Sequence, residues 1–302
     1  MAPMMNETIR LAFVTYSNLP ALSPDDLTLA NFLSEKNIKV SAVIWDDENI
    51  VWNEFDAVII RSTWDYFTRT KTFDAWLEKL SLSGCRVMNP LSVIHWNKNK
   101  NYFNDFQKQG FAFPPYYYLE QGSSVDLPQL LRNDHWQKAV IKPSISGGAH
   151  NTWITTTASV HADSPRLDAM LEEGDVIVQK FMDEIVTEGE LSLVFFNKQF
   201  SHAVCKKASS GDFRVQSQFG GTVTPVQPTK SLIQQAEALI NSIPEDLLYA
   251  RVDGLVLNEN ELCLMELELI EPALFVSDNE QACDNFYQAL RDLLAKAPHP
   301  VL

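Results

Sequence analysis

Tyr249-Ala-Arg-Val-Asp-Gly-Leu-Val-Leu257, the turn Asn258-Glu-Asn-Glu261 and Leu262-Cys-Leu-Met-Glu-Leu-Glu-Leu-Ile-Glu-Pro272 decide the reading of this chain. Both apolar runs have strand composition, and the polar tetrapeptide between them reads as a hairpin-like turn. Each strand carries acids where burial should forbid them. Glu266 and Glu268 are two apart, so in a strand their side chains leave on one face. Asp253, on the neighbouring strand, reaches that face if the pairing register allows. Carboxylates sharing a sheet face repel one another and lose solvation unless cations hold them. A hard divalent ion such as Mg²⁺ suits a set of oxygen ligands. The alternative is a half-polar strand whose acids simply face solvent.

Working outward, a chain of 302 residues has room for two or three subdomains, and an apolar fraction of 45% suits a globular protein. No window has the apolar length of a membrane span, and the N-terminus lacks a basic region followed by a signal-type core. A formal charge of −15 disfavours nonspecific binding to nucleic acid or to an anionic membrane. Cys85, Cys205, Cys263 and Cys283 are widely spaced without zinc-type pairing, which suggests free thiols in a reducing, cytoplasmic setting. The histidines, His150 and His202 among them, show no metal spacing.

At the N-terminal end, Ile9–Tyr16, Ile38–Trp45 and Asp56–Arg61 read as strands separated by helix-length segments. That alternation predicts a small parallel α/β domain, whose ligands collect at the carboxyl ends of the strands. The third strand runs directly into Arg61-Ser-Thr-Trp-Asp-Tyr66, which places a cation, hydroxyls, an acid and aromatics at that end. Equally, Ser62 or Thr63 is suited to cap a following helix, and Trp64 to fill a core.

Beyond Asn89-Pro90 the pattern predicts one helix over Trp96–Gln109, ended by Gly110. A strand Lys138–Lys142 then leads into the loop Pro143-Ser-Ile-Ser-Gly-Gly-Ala149. Lysine before a Ser/Gly loop suits phosphate, because backbone N–H groups can approach closely and the ammonium adds charge. It is not the loop in which lysine follows the glycines, and Gly147-Gly148 alone is also compatible with a hairpin turn. The strand Asp175–Phe181 passes through Met182-Asp-Glu-Ile185 to two more strands, Leu191–Asn197 and Phe200–Lys206. Lys206, Lys207 and Arg214, with Gly211-Asp-Phe-Arg-Val215, form a cationic run suited to an anion or, residue by residue, to a solvated face. Thr229–Ile243 and Asp278–Leu294 have helical periodicity.

The order of these pieces resembles the ATP-grasp superfamily of ligases, which includes D-alanine–D-alanine ligase, glutathione synthetase and the ribosomal-protein glutamate ligases. The match runs from Lys100 through Lys142 and its glycine loop, Gln179–Met182, and Arg251/Asp253 to Glu266/Glu268, about two-thirds of the chain. Within the superfamily, Arg61-Ser-Thr-Trp-Asp-Tyr66, Trp96-Asn97 with Lys100, Gly211–Val215 and Glu266–Pro272 look most like the cyclo-ligases that close the D-cycloserine ring from O-ureido-D-serine, and their uncharacterised relatives. One departure stands out: the last metal ligand is usually Asn, and here that position matches Glu268.

The resemblance implies an α/β plus α+β architecture. A parallel α/β pre-ATP-grasp domain would span 1–96, a central subdomain 97–183 and a C-terminal subdomain 184–302, the last two sandwiching ATP. It implies ATP phosphates on Lys100, Lys142, Ser144, Ser146, Gly147 and Gly148. Adenine would lie along Gln179, Lys180, Phe181 and Met182, and ribose at Glu184 or Glu190. One or two Mg²⁺ ions, with Mn²⁺ as the alternative, would sit on Asp253, Glu266 and Glu268. Arg251, Lys206 and Arg214 would be catalytic cations, and Arg61, Ser62, Asp65 and Glu271 would hold substrate. On that reading Arg61→Ala weakens substrate use more than ATP binding. The implied reaction activates a small-molecule carboxylate as an acylphosphate, which an amine then attacks within the same molecule or from another. A peptide or protein-tail ligase and an ATP-binding regulatory protein without turnover are the alternatives. The implied partners are small molecules, with a homodimer as the expected assembly.

Overall fold

The computed structural model describes residues 8–296. The reading of the N-terminus as free of a signal segment, and the outermost ends of the first and third segments, therefore lie partly outside the described residues.

The chain opens with β1 (Ile9–Thr15), α1 (Pro24–Glu35), β2 (Ile38–Ile44), β3 (Ala57–Ser62), α2 (Thr70–Ser83) and β4 (Val87–Met88). Its strands form a parallel sheet in the order β2-β1-β3-β4. Successive residues serve opposite faces: Ala12, Val14, Val58 and Ile60 pack with Phe73 and Trp76 of α2. Leu11, Phe13 and Ile59 pack with Leu29 of α1 and with Phe286 of a helix at residues 282–295. Both faces are covered, so these strands read as continuous apolar runs. Ser23 starts α1 by accepting the Asp26 N–H, with Pro24 in the first turn.

Next come α3 (Leu91–Asn97), α4 (Tyr102–Lys108), β5 (Tyr116–Leu119), α5 (Leu127–Asn133), β6 (Lys138–Pro143), β7 (Trp153–Thr156), α6 (Val160–Glu173) and β8 (Val176–Lys180). The expected single helix over Trp96–Gln109 is two helices broken at residues 98–101. At the break Asn99 accepts the Asn101 N–H, and the Lys100 N–H goes to the Ser144 carbonyl instead of to a helical partner. The antiparallel sheet β5-β8-β6-β7 covers one face with α5 and α6, through Ala139, Ile141, Val176 and Val178. Register pairs Val140 with Gln179 and Lys142 with Ile177, which puts these four on the opposite face.

The last segment holds α7 (Glu184–Thr187), β9 (Glu190–Phe196), β10 (Gln199–Lys207), β11 (Thr222–Val226), α8 (Lys230–Asn241), β12 (Tyr249–Leu257), β13 (Glu261–Glu268) and α9 (Ala282–Ala295). The sheet is antiparallel, in the order β11-β10-β9-β12-β13. Its back packs on α8 and α4: Leu193, Val252 and Leu264 share a cluster with Leu239, Phe103 and Phe106. The outer edge of β13 is closed by side chains. Tyr102 Oη bonds both the N–H and the carbonyl of Leu267, and the Asn97 amide bonds the Leu267 carbonyl and the Leu269 N–H. Among the described residues no helix is long and apolar enough to cross a membrane.

The front of this sheet changes character along its length. Val194 and Phe196 pack on Phe286 of α9, a charged zone follows, and then Leu255, Cys263 and Met265 join Phe181, Val140 and Ile154 in a second apolar patch. β12 achieves this by plain alternation, but β13 does not. Leu262, Leu264, Leu267 and Leu269 all face back, so the alternation slips once. The slip is a bulge: Asp253 pairs with Glu266 and Gly254 with Leu264, which leaves Met265 as the extra residue. A Cβ on Gly254 would lie 2.7 Å from Leu262 Cδ1 and 2.9 Å from the Cys263 carbonyl, so the bulge requires glycine there.

Candidate functional site

The charged zone is built on cross-strand pairs. Arg251 lies opposite Glu268, and Asp253 opposite Glu266, so all four side chains leave on the front face. Arg251 grips Asp253 in a fork, with Nε–Oδ1 and Nη2–Oδ2 both 2.9 Å, and also reaches Glu268. Lys206 on β10 bridges Asp253 at 3.1 Å and Glu190 at 2.6 Å, while Ser192 Oγ donates to Asp253 at 2.6 Å. Burial pushes the Asp253 carboxyl up, but Arg251 and Lys206 outweigh it and hold the group well below the usual carboxylate range. Glu190 goes the other way: its burial outweighs Lys206 and raises it.

Lys100 enters from the break between α3 and α4, which points its ammonium at the Ser146 carbonyl at 2.7 Å and at Glu266 at 3.0 Å. Lys142 stands beside them on β6; burial lowers it to about 8. Desolvation raises Glu266, yet Lys100 and Lys142 bring it below its ordinary value. Burial and then the neighbouring acids, against Arg251, raise Glu268 to about 7. Ser144, Ser146, Gly147 and Gly148 form the turn between β6 and β7. Gly147 is packed so tightly on Phe67 that a Cβ would come within 2.8 Å of the ring, and Gln218 Nε2 donates to the Gly148 carbonyl at 3.0 Å.

The second apolar patch faces Phe181, Met182 and Gln179. The N–H groups of Lys180 and Phe181 are already donated, to the carbonyls of Pro115 and Lys138. Lys180 also pairs with Ala139 on the helix-covered face. Lys180 therefore offers the front face neither its N–H nor its side chain, which leaves its carbonyl for the expected adenine contact. Gln179 is buried with its Nε2 unpartnered. Of the two ribose candidates, Glu190 is committed to Lys206, whereas Glu184, at the start of α7, is half-buried and has no cation partner among the described residues.

At the N-terminal domain the expected substrate group divides. Arg61 is only 1% exposed: it pairs with Asp26 at 2.9 Å, donates to the Pro272 carbonyl and stacks over Tyr249. Ser62 is fully buried and donates to the same Asp26. Apart from Arg61 Nη1, which is buried without a hydrogen-bond partner, both side chains are spent on contacts inside the protein, so the structure corrects both to internal ties. Asp65 accepts from Trp45 Nε1 and Arg69 at the surface of the domain. Arg214, on the loop after β10, is held by Asp212 at 2.7 Å and lies over the Phe219 ring, so its guanidinium is engaged within its own loop.

After β13 the backbone is gripped one carbonyl at a time. Leu269 accepts from Asn89, Ile270 from Tyr249 Oη, Glu271 from Trp64 Nε1, Pro272 from Arg61, Ala273 from Arg251 and Leu274 bonds His202 Nε2. The sequence reading missed most of these donors. It also missed Ser192, Phe67, Gln218, and the patch residues Val140, Ile154 and Met265. Val140 alone carried a signal, two residues before Lys142 in the same strand.

Among the described residues no three metal-ligating side chains converge as a ready-made cage, and Asp253 is engaged by Arg251 and Lys206. The donor set on the face is nonetheless all oxygen, and burial, followed by repulsion from Glu266 and Asp253, already raises Glu268. Those groups fit a hard divalent ion such as Mg²⁺.

Comparisons with known proteins agree with this geometry. The family model described as the N-terminal domain of D-cycloserine synthetase DcsG matches residues 11–89. The cycloserine biosynthesis protein DcsG of Streptomyces lavendulae is 25% identical over 264 residues, 83% of this chain and 87% of that protein. The crystal structure of D-cycloserine synthetase DcsG superposes with a TM-score of 0.83 at 24% identity, covering 94% of this chain and 99% of the other. D-alanine–D-alanine ligase from Bacillus anthracis gives a TM-score of 0.66 at 13% identity, over 95% and 97% of the two chains. The ATP-grasp ligase PsnB, complexed with a minimal precursor, gives 0.62 at 14% identity over 94% and 100%.

Proposed function

We propose that this chain, which has the ATP-grasp fold, is an ADP-forming carboxylate–amine ligase acting on a small amino-acid-like molecule. The observation that carries this reading is the paired face of β12 and β13, where Arg251, Asp253, Glu266 and Glu268 meet Lys206 and Lys100. Phosphoryl transfer asks little covalent chemistry of a protein and a great deal of positioning and charge neutralisation. Lys100, Lys142 and the Ser144–Gly148 turn would hold the phosphates of ATP, and Arg251 and Lys206 would offset charge on the transferring group. Asp253, Glu266 and Glu268 would hold Mg²⁺, or Mn²⁺ in its place, which neutralises phosphate charge when bound. Adenine would enter the patch between Val140, Ile154 and Met265, with Met182 at its edge and Glu184 nearest the ribose. The substrate carboxylate attacks the γ-phosphorus, releasing ADP and leaving an acylphosphate. An amine then attacks the acyl carbon, phosphate leaves, and the amine gives up a proton.

We assign the substrate domain to 1–96 and the two nucleotide-facing subdomains to 97–183 and 184–302, a division that follows the three sheets. The free thiols Cys85, Cys205, Cys263 and Cys283 favour the cytoplasm as the setting. The likeness to a ligase solved with a precursor keeps a peptide substrate as the second reading. The test is Mg²⁺-dependent ADP release across a panel of amino acids, O-ureido-D-serine included, with hydroxylamine present to trap the acylphosphate. ADP together with a hydroxamate from one compound supports the reading. ATP binding without ADP release from any amino acid or short peptide would sink it in favour of a regulatory protein.

A further inference from the structure

We infer that Glu271 is the anchor for the ammonium group of the amino-acid substrate, held in register by the run of gripped carbonyls on either side of it. The inference rests on the ligase reading and deepens it.

Every other acid of the charged zone has a cation: Glu190 has Lys206, Asp253 has Lys206 and Arg251, Glu266 has Lys100, and Glu268 has Arg251. Among the described residues the Glu271 carboxylate has no hydrogen-bond or ion-pair partner, although its own carbonyl is fixed by Trp64. The cations around it are engaged with other groups: Arg251 with Asp253, Glu268 and Ala273, and Lys100 with Glu266 and Ser146, while Arg61 pairs with Asp26 and Pro272 and keeps Nη1 unpartnered. The carboxylate is half-buried beside the phosphate turn, its Oε1 being 3.8 Å from where a Cβ on Gly147 would stand.

Burial, and then the nearby Glu268, push the Glu271 carboxyl well above the usual carboxylate range. A half-buried carboxyl beside the phosphate turn with no cation of its own takes its charge when a cationic ligand group arrives, and so selects one. The group available on an amino acid is its ammonium. Holding it there leaves the substrate's carboxylate free to point at the phosphate turn, the orientation that acylphosphate formation needs. The backbone grip matters because a carboxylate on a loose loop would lose rotamer and backbone entropy on each encounter.

The test compares matched acids with and without the amino group: D-alanine against propionate, and O-ureido-D-serine against 3-(ureidooxy)propanoate. Hydroxylamine serves as the common acceptor, so that the amine-free acids can also be activated. Glu271→Gln should lower kcat/KM about 10- to 100-fold for the amine-bearing member of the productive pair. It should change the amine-free member within about threefold, with the KM for ATP and the melting temperature unmoved. Equal losses on both members would overturn the assignment, as would a raised Mg²⁺ requirement, which would make Glu271 a metal ligand. If the unsubstituted protein releases ADP with no member of either pair nor with the wider panel, the ligase reading fails first and this assignment with it.

Discussion

Arg61 offers the sharpest test of how the substrate domain is built. Replacing it with Met keeps most of the side-chain volume and removes the charge. The Arg61–Asp26 pair spans 2.9 Å with both side chains at most 3% exposed. At an effective dielectric of about 20, such a pair attracts by roughly 6 kcal/mol, most of which offsets the desolvation of the two charges. Removing one partner leaves Asp26 buried and uncompensated, which costs about 3–5 kcal/mol. The lost bond to the Pro272 carbonyl adds about 1 kcal/mol. Arg61→Met should therefore destabilise by about 4–6 kcal/mol, a large part of the roughly 5–15 kcal/mol typical of a domain. Asp26→Leu should cost a similar amount, and the double variant much less than the two together, with a coupling of about 3 kcal/mol. Urea unfolding followed by tryptophan fluorescence reads all three. A single-variant loss below about 1 kcal/mol, accompanied by a raised KM for the acyl substrate, would refute the reasoning and return Arg61 to the substrate pocket.

Glu266→Gln should reduce ADP formation at least about a thousandfold while the melting temperature stays close to that of the unsubstituted protein, since one side chain of the pair with Lys100 remains polar; undiminished turnover would remove Glu266 from the metal and phosphate site. Gly147→Ala should raise the KM for ATP about tenfold by pushing the phosphate turn off Phe67, and Phe67→Leu in the same chain should recover much of it. If the second substitution makes matters worse, the ring supports the turn instead of limiting it. Burial, against the hydrogen bond to the Leu274 carbonyl, lowers the His202 pKa below its ordinary value. The folded state then binds fewer protons than the unfolded one, so its contribution is complete above about pH 6.5 and is lost as pH falls below that. His202→Gln should flatten the stability slope between about pH 5 and 6.5, measured by urea midpoints, and an unchanged slope would place the effect elsewhere.

The parallel domain and the acid-bearing hairpin were legible because their patterns are local. Residues 11–14 and 57–60 are continuous apolar runs, and Glu266 and Glu268 share a face by spacing alone. The break between α3 and α4 was not legible, since Trp96–Gln109 has good helical periodicity. What interrupts it is tertiary, a donation from Lys100 to Ser144 more than forty residues away. The bulge at Met265 was hidden for a related reason: Leu-Cys-Leu-Met is apolar on both sides, so nothing in the pattern marks where the alternation slips. Arg61 misled because a cation at the carboxyl end of a parallel strand is a reasonable ligand group, and its true partner, Asp26, sits a helix earlier in sequence. The face of the Lys180 side chain was not legible because it depends on pairing with Ala139.

The gripped carbonyls from Leu269 to Leu274 also decide which part of the molecule is free to move. Asn89, Trp64 and Arg61 tie the first sheet and its flanking loops to the end of β13, and Phe286 of α9 packs between β1 and β9. The first and third sheets thus behave as one rigid base, in which opening would break several buried polar contacts at once. The central sheet is attached differently: Lys100, Phe67 and Gln218 hold the phosphate turn, and apolar packing of Val140, Ile154 and Phe181 on Leu255 and Cys263 does the rest. On the ligase reading the base carries the acids and Glu271, so the motion that admits nucleotide belongs to the central sheet.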